Sequence, residues 1–419
     1  MRVGVVGGGA AGLTTAWLLE REHDVTVFER EARLGGHAHT VEIEVDGQRL
    51  GIDAGFQFFA PGATYATFNR LLDLLGVARE SYAASLTVYD ERRNRPVAMP
   101  PFRAGAPILS SFRPATLRTL IRFRAFLDDL PAFLARHDMS VTVAEYLERA
   151  RLPKAFVDGF LLPLLSSFWC VELAEFRGFA AHNALYYLGA NANSGLRAPV
   201  QSEIPGGMRV YIDALARDLT RTRIRLDSEI QGVTRRGELF DVEQQDGEVH
   251  TFDRLVLACN PRRAAALIDG LTGHEAERGQ LRRIETFDTK IAIHGDRRLM
   301  PRDEASWSVV NARWDGAHSS LTVWDPRRGL PVFKSWITSD TDLPDPLYAV
   351  AAYEHGMITP AYFDAQSRLK SLNGRDGLWL AGLSMHDVDS HESAVRSAVA
   401  VARSLAPDSW RLRLLSGQT

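Results

Sequence analysis

Three glycines and an acid near the start of the chain hold the clearest chemistry. Gly7, Gly9 and Gly12 follow the apolar run 2–6 in the spacing G-x-G-x-x-G. Gly7 permits a tight turn out of a buried strand, Gly9 lets a pyrophosphate approach the backbone, and Gly12 lets the next helix pack close to the sheet. That helix aims the amides of Ala10 and Ala11, and its positive dipole end, at phosphate. Residues 25–28 read as a second strand ending on Glu29, where a carboxylate accepts hydrogen bonds from a ribose 2′-hydroxyl and repels a 2′-phosphate. Strand, turn, helix, strand and acid in that order specify a dinucleotide site, the alternative being a glycine-rich turn in a fold without one. A secretory signal does not fit, because the glycines and the charged Glu20-Arg21-Glu22 break the apolar core it needs.

The stretch Glu29-Arg30-Glu31-Ala32-Arg33-Leu34-Gly35-Gly36-His37-Ala38-His39-Thr40 resembles the E-x-x-x-R-x-G-G-R-x-x-T/S segment of the flavin-containing amine oxidase superfamily. That superfamily includes monoamine and polyamine oxidases, protoporphyrinogen oxidase and phytoene desaturases. The resemblance implies FAD rather than NAD, with Glu29, Arg30, Arg33, Gly35, Gly36 and His37 beside the pyrophosphate and toward the flavin. His37 stands where most members have arginine, as in a bacterial branch of NAD/FAD-binding proteins, which implies a weaker, pH-dependent cationic contact.

The elements that must position these residues are legible in outline. At 419 residues the chain exceeds what one core serves, so two domains are expected. With 49 basic and 52 acidic side chains there is no field for nucleic acid. The two cysteines, Cys170 and Cys259, suit a reducing cytoplasm and offer no metal motif. No apolar run spans a bilayer. Residues 41–45 and 48–50 flank Asp46-Gly47 as a hairpin, and 239–242 and 249–252 flank Asp246-Gly247 as another. A helix is expected over 65–75, stopped by Gly76, and a short strand over 86–89. Leu117, Leu120, Phe123, Leu127 and Leu130 recur at helical spacing, with Arg118 and Arg122 on another face. This reads as a domain-packing helix with a solvated arginine side, and a helix lying on a membrane surface is the alternative. The apolar stretch 154–170 reads as the helical body of an inserted domain.

Further segments extend the resemblance. Gly55 and Phe56, in Asp53-Ala54-Gly55-Phe56-Gln57-Phe58-Phe59, match a D-x-G-x-x-x-F segment that passes near the isoalloxazine ring. Residues 224–226 and Ile230 match the strand whose backbone meets the adenine. Cys259, in Ala258-Cys259-Asn260-Pro261, reads as a buried hydrophobe. Residues 289–294 alternate as a strand, so Lys290 and His294 share a face. The family's lysine on an equivalent strand holds a water at flavin N5, and Lys290 is placed in that role, with an exposed edge lysine as its rival. Trp307, Trp314, Trp324, Trp336, Tyr348 and Tyr353 wall a pocket or fill a sheet. Near the end, Gly382 and then His391-Glu392-Ser393-Ala394 match an A-G-x…E-G-A element. The resemblance sets Gly382, Glu392 and Ala394 at the flavin pyrimidine, with His391 meeting flavin or substrate unless it caps the helix. Residues after about 407 read as a tail.

The resemblance therefore implies an α/β fold: a Rossmann-type FAD-binding domain with an inserted α+β substrate domain, monoamine-oxidase-like. The FAD domain is assigned to 1–80, 203–283 and 375–419, the substrate domain to 81–202 and 284–374. The expected activity is removal of hydride from a C–H bond of a small, largely apolar amine, lipid or secondary metabolite, by amine oxidation or desaturation. FAD is held non-covalently and reoxidised by oxygen or another acceptor. A flavin-dependent isomerase without net redox change, and a non-catalytic flavin escort, are the competing readings. A monomer or homodimer in the cytoplasm is expected, with peripheral membrane contact left open.

Overall fold

The computed structural model describes residues 1–103, 106–169, 171–190, 197–340 and 342–417, with the side chains of 103 and 110 left aside; Cys170 therefore lies outside the described residues. The elements that carry the argument are, in chain order, β1 (Arg2–Val6), α1 (Ala10–Leu19), β2 (Asp24–Phe28), α2 (Ala66–Leu74) and α3 (Pro114–Leu134). They continue with β3 (Arg223–Arg225), β4 (Arg254–Leu257), β5 (Thr286–His294), β6 (Phe333–Trp336), β7 (Leu347–Gly356), β8 (Leu378–Leu380), α4 (His391–Leu405) and α5 (Trp410–Ser416).

One sheet is wholly parallel, in the order β3-β2-β1-β4-β8. Its strands come from three distant stretches of chain, with β1 central, the doubly wound arrangement that opens a crevice at the strand carboxyl ends. Parallel strands are covered on both faces, which is why β1 and β2 are apolar runs rather than alternating ones. Val3 and Val5 are fully buried on one side and Val6 packs into the core on the other. Every residue of α1 is buried; it lies between this sheet and α4, so it carries no polar stripe.

The second sheet has seven strands, ordered β7-β5-β6 and then Ser319–Trp324, Val310–Trp314, Leu86–Asp90 and Arg95–Ala98. It is antiparallel except where Val310–Trp314 runs along Leu86–Asp90. The expected hairpins form, Thr40–Val45 on Gln48–Asp53 and Leu239–Gln244 on Val249–Phe252. The helix expected over 65–75 is α2, ended at Gly76 with φ +66°. The expected aromatic walls divide. Trp307, Trp324 and Phe333 pack on one another as sheet aromatics, whereas Tyr353 reaches the cleft described below.

The terminal tail is corrected. Residues 410–416 form α5, with Leu412, Leu415 and Arg411 buried against the parallel-sheet lobe. Leu412 and Leu415 are three apart on one helical face, and the arginine beside them is neutralised by acids brought from elsewhere in the chain.

Candidate active-site cleft

A cavity of about 330 Å³ runs from the end of β1 to the start of α4. Its first end is built by the glycine turn. A Cβ on Gly12 would sit 1.9 Å from the Gly7 carbonyl oxygen, so any side chain there pushes α1 off the turn. At Gly9 the nearest atoms to such a Cβ are 3.9 Å away, which leaves this side of the turn open to a ligand. Gly9 is also the N-cap of α1 and offers no side-chain cap, so the first helical amides face the cleft.

Glu29 closes the turn from the tip of β2. Its Oε2 accepts from the Gly8 amide at 2.7 Å and its Oε1 from the Glu31 amide at 3.0 Å. The 30–36 stretch folds back over the turn, Gly35 N donating to the Gly8 carbonyl at 2.8 Å. Arg33 donates to the Gly36 carbonyl and pairs with Glu31, while Arg30 is exposed at the rim. Ile230 lines the same end, its carbonyl accepting from Arg263, which also pairs with Glu229. Burial pushes the Cys259 thiol up to about 12, so it behaves as a small apolar group.

The far end is lined by His37, Tyr353, Tyr362, Gly382, Leu383, Asp389, His391 and Ala394. The His37 ring lies 4.9 Å from Tyr353 and 5.2 Å from His355. Burial, reinforced by Arg33, brings its pKa down to about 4, so the expected cationic contact is corrected to a neutral imidazole at physiological pH. His355 and His391 are each lowered to about 3 by burial, helped by His37. His391 is the first residue of α4, and the N-cap is Ser390, whose Oγ accepts from the Ser393 amide. The helix-capping alternative for His391 is thereby replaced: its ring stacks on Phe56 at 4.2 Å and its Nε2 pairs with the Tyr211 hydroxyl at 2.8 Å.

Thirteen of the seventeen residues assigned to the cofactor line this cleft, as does His391. Gly12 shapes the turn from behind. Gly55 and Phe56 stand one layer back, Phe56 behind His391 and Gly55 against the His37 carbonyl. Glu392 is corrected. Its carboxylate turns away and accepts from the Thr67 and Phe68 amides at 3.0 and 2.8 Å, capping α2. Replacing Glu392 by Gln is expected to cost about 2 kcal/mol of stability while leaving the absorption spectrum of bound flavin unmoved; a shifted spectrum with an unchanged melt would place this side chain in the site after all.

Lys290 is also corrected. It pairs with Ala352 across β5 and β7 and is exposed on the sheet face away from the cofactor lobe. The buried lysine is Lys334 on β6, which pairs with Ile293 and so points to the opposite face, with Ile291 and Tyr353. Its Nζ donates to the Gly55 carbonyl at 2.5 Å and lies over the Trp336 ring. A composition signal was available: arginine supplies nearly all the cations of this chain, and of its four lysines only Lys290 and Lys334 fall on strands. Asp389 went unnoticed because it lies in the loop before the N-cap, outside any motif.

A doubly wound sheet, a glycine turn and a long cleft together form the architecture in which dinucleotides are held. The buried, unpartnered Nε2 of His37 and the open side of Gly9 fit such a ligand. The sequence pattern of the flavin containing amine oxidoreductases matches residues 10–289, and the chain belongs to that family. It is a flavin-dependent oxidoreductase that acts on a small molecule and passes electrons to an acceptor. No curated protein matches it. Among solved structures it is similar in fold to a fatty acid isomerase of P. acnes, which produces CLA (TM-score 0.71, 14% identity, 97% of this chain and 99% of that one). It is likewise similar to cyclohexylamine oxidase of Brevibacterium oxydans (0.68, 16%, 97% and 99%). A third is a protoporphyrinogen oxidase-like protein of Exiguobacterium (0.64, 19%, 96% and 98%).

Proposed function

We propose that the chain is an FAD-dependent oxidoreductase that removes hydride from the carbon beside the nitrogen of an apolar amine. In this reading FAD is held non-covalently along the cleft, by segments 1–80, 203–283 and 375–419, and segments 81–202 and 284–374 face the substrate. Bound flavin supplies a two-electron acceptor, later reoxidised by oxygen or another acceptor. The remaining work belongs to this chain's own side chains. Lys334, whose Nζ donates to the Gly55 carbonyl, is given the water-holding role first assigned to Lys290. The neutral imidazoles of His37, His355 and His391 keep the ring end free of cations that would compete with an ammonium group. Hydride loss leaves an iminium, which water converts to an aldehyde and ammonium.

The observation that carries the amine reading is Asp389. It is half-buried in the cleft wall, no cation or hydrogen bond reaches its carboxyl oxygens among the described residues, and desolvation pushes it up to about 6. Its charge is felt by the phenols of Tyr65, Tyr187 and Tyr362. An unpaired carboxylate facing the cleft attracts a cation, and a substrate ammonium supplies one. Asp389 then accepts the proton that the nitrogen sheds before hydride leaves.

Asp389→Asn is expected to lower kcat/KM for apolar primary amines about thirtyfold, the loss of roughly 2 kcal/mol of charge pairing. In the wild type kcat/KM should climb as pH rises through about 6, and this limb should vanish in the variant. The stability change has the opposite sign. A carboxyl whose folded pKa is raised from 3.8 to about 6 loses stability as pH rises through that window, so the ligand-free variant should be the more stable protein at neutral pH. Equal kcat/KM in both proteins, or turnover of fatty acyl compounds or polyenes alone, would overturn the amine assignment.

A further inference from the structure

We propose that the outer edge of the molecule around the start of α3 docks on an anionic lipid surface. Phe102, Leu109 and Ile121 are 57%, 83% and 68% exposed, and Phe112 and Leu117 are exposed beside them in sequence. Leu117 and Ile121 lie four apart on α3 and share one face. The rings of Phe102 and Phe112 meet edge to face at 6.1 Å, so these apolar groups contact each other rather than the core. The second half of α3 behaves differently: Phe126, Leu127 and Leu130 are buried and do the packing expected of the whole helix.

The occupant follows from charge. Arg113, Arg118 and Arg122 are exposed along the same segment, and none has a carboxylate within ion-pairing distance among the described residues. The chain as a whole carries net charge −3, so this is a local basic rim around an apolar tip. Apolar side chains entering the headgroup region, with arginines meeting phosphates, match a membrane interface rich in anionic lipid. A two-fold dimer through the same face would set these arginines against their own copies and is disfavoured. Among the described residues no helix is long and apolar enough to cross a membrane, so the contact is peripheral.

The test is flotation of the full chain with phosphatidylcholine vesicles, with and without phosphatidylglycerol. The chain should rise with the anionic vesicles and less so at high salt. A Leu109→Asp, Ile121→Asp double variant should stay at the bottom, and Arg118→Gln or Arg122→Gln should weaken binding about fivefold each. These positions are exposed, and unchanged thermal melts would show that the variants fold. Flotation with no vesicle, binding indifferent to all four substitutions, or a dimer in sedimentation velocity that Ile121→Asp dissolves would overturn the proposal.

Discussion

Lys334→Met is expected to lower kcat by about a hundredfold or more, the usual scale for losing a positioned proton-handling group, whereas Lys290→Met leaves it within about twofold. The two lysines lie on neighbouring strands of one sheet and differ in the face they occupy. Lys334 pairs with Ile293 and points toward Gly55; Lys290 pairs with Ala352 and points to solvent. Methionine conserves the length and apolar stem of lysine, so the volume is kept while the charge, its contact with the Trp336 ring and the hydrogen bond to the Gly55 carbonyl are removed. Flavin content and KM should change little in Lys334→Met if the amine holds a water for the chemical step. Equal rates in both variants would return the role to neither lysine, and a loss in Lys290→Met alone would restore the original assignment.

Arg411→Met is expected to destabilise the protein by about 3 kcal/mol, the cost of leaving the buried Glu20 carboxylate without its closest cation. The guanidinium is 1% exposed and donates to Glu20 at 2.9 Å, to the Trp17 carbonyl at 2.8 Å and to Asp218 at 2.9 Å. It also lies 4.7 Å over the Trp17 ring. The fully buried Glu20 carboxylate further accepts from the Arg221 and Thr222 amides. One side chain thus ties α5 to the end of α1 and to the 218–222 turn. Arg411→Lys should rescue little, because an ammonium cannot reproduce the fork that reaches three partners. Removal of residues 408–419 should cost at least as much. Denaturant unfolding with an unchanged midpoint in either variant would return α5 to the status of a tail.

What was legible beforehand depended on the distance over which a signal acts. The glycine turn, Glu29 and the 30–36 stretch interact within a few tens of residues, so their spacing alone identifies the site. The hairpins at Asp46-Gly47 and Asp246-Gly247 are local for the same reason. The misplaced residues are those whose environment comes from far along the chain. Glu392 finds Phe68 from 324 residues away and Arg411 finds Glu20 from 391, so neither partnership leaves a trace in local pattern. For the lysines, alternation shows which residues share a face of a strand but not which face meets the cofactor lobe. His37 was read by its type, and the burial beside Arg33 that lowers its pKa to about 4 comes from packing the sequence does not reveal.

Whether the cleft holds FAD and strips hydride from an amine is tested most directly by anaerobic mixing. The FAD-loaded chain should lose its oxidised flavin absorbance when an apolar primary amine is added, at a rate that rises with amine concentration, and should yield aldehyde and ammonium in step with the bleaching. A colourless protein that takes up no FAD, or a yellow one that no amine bleaches, would contradict this assignment.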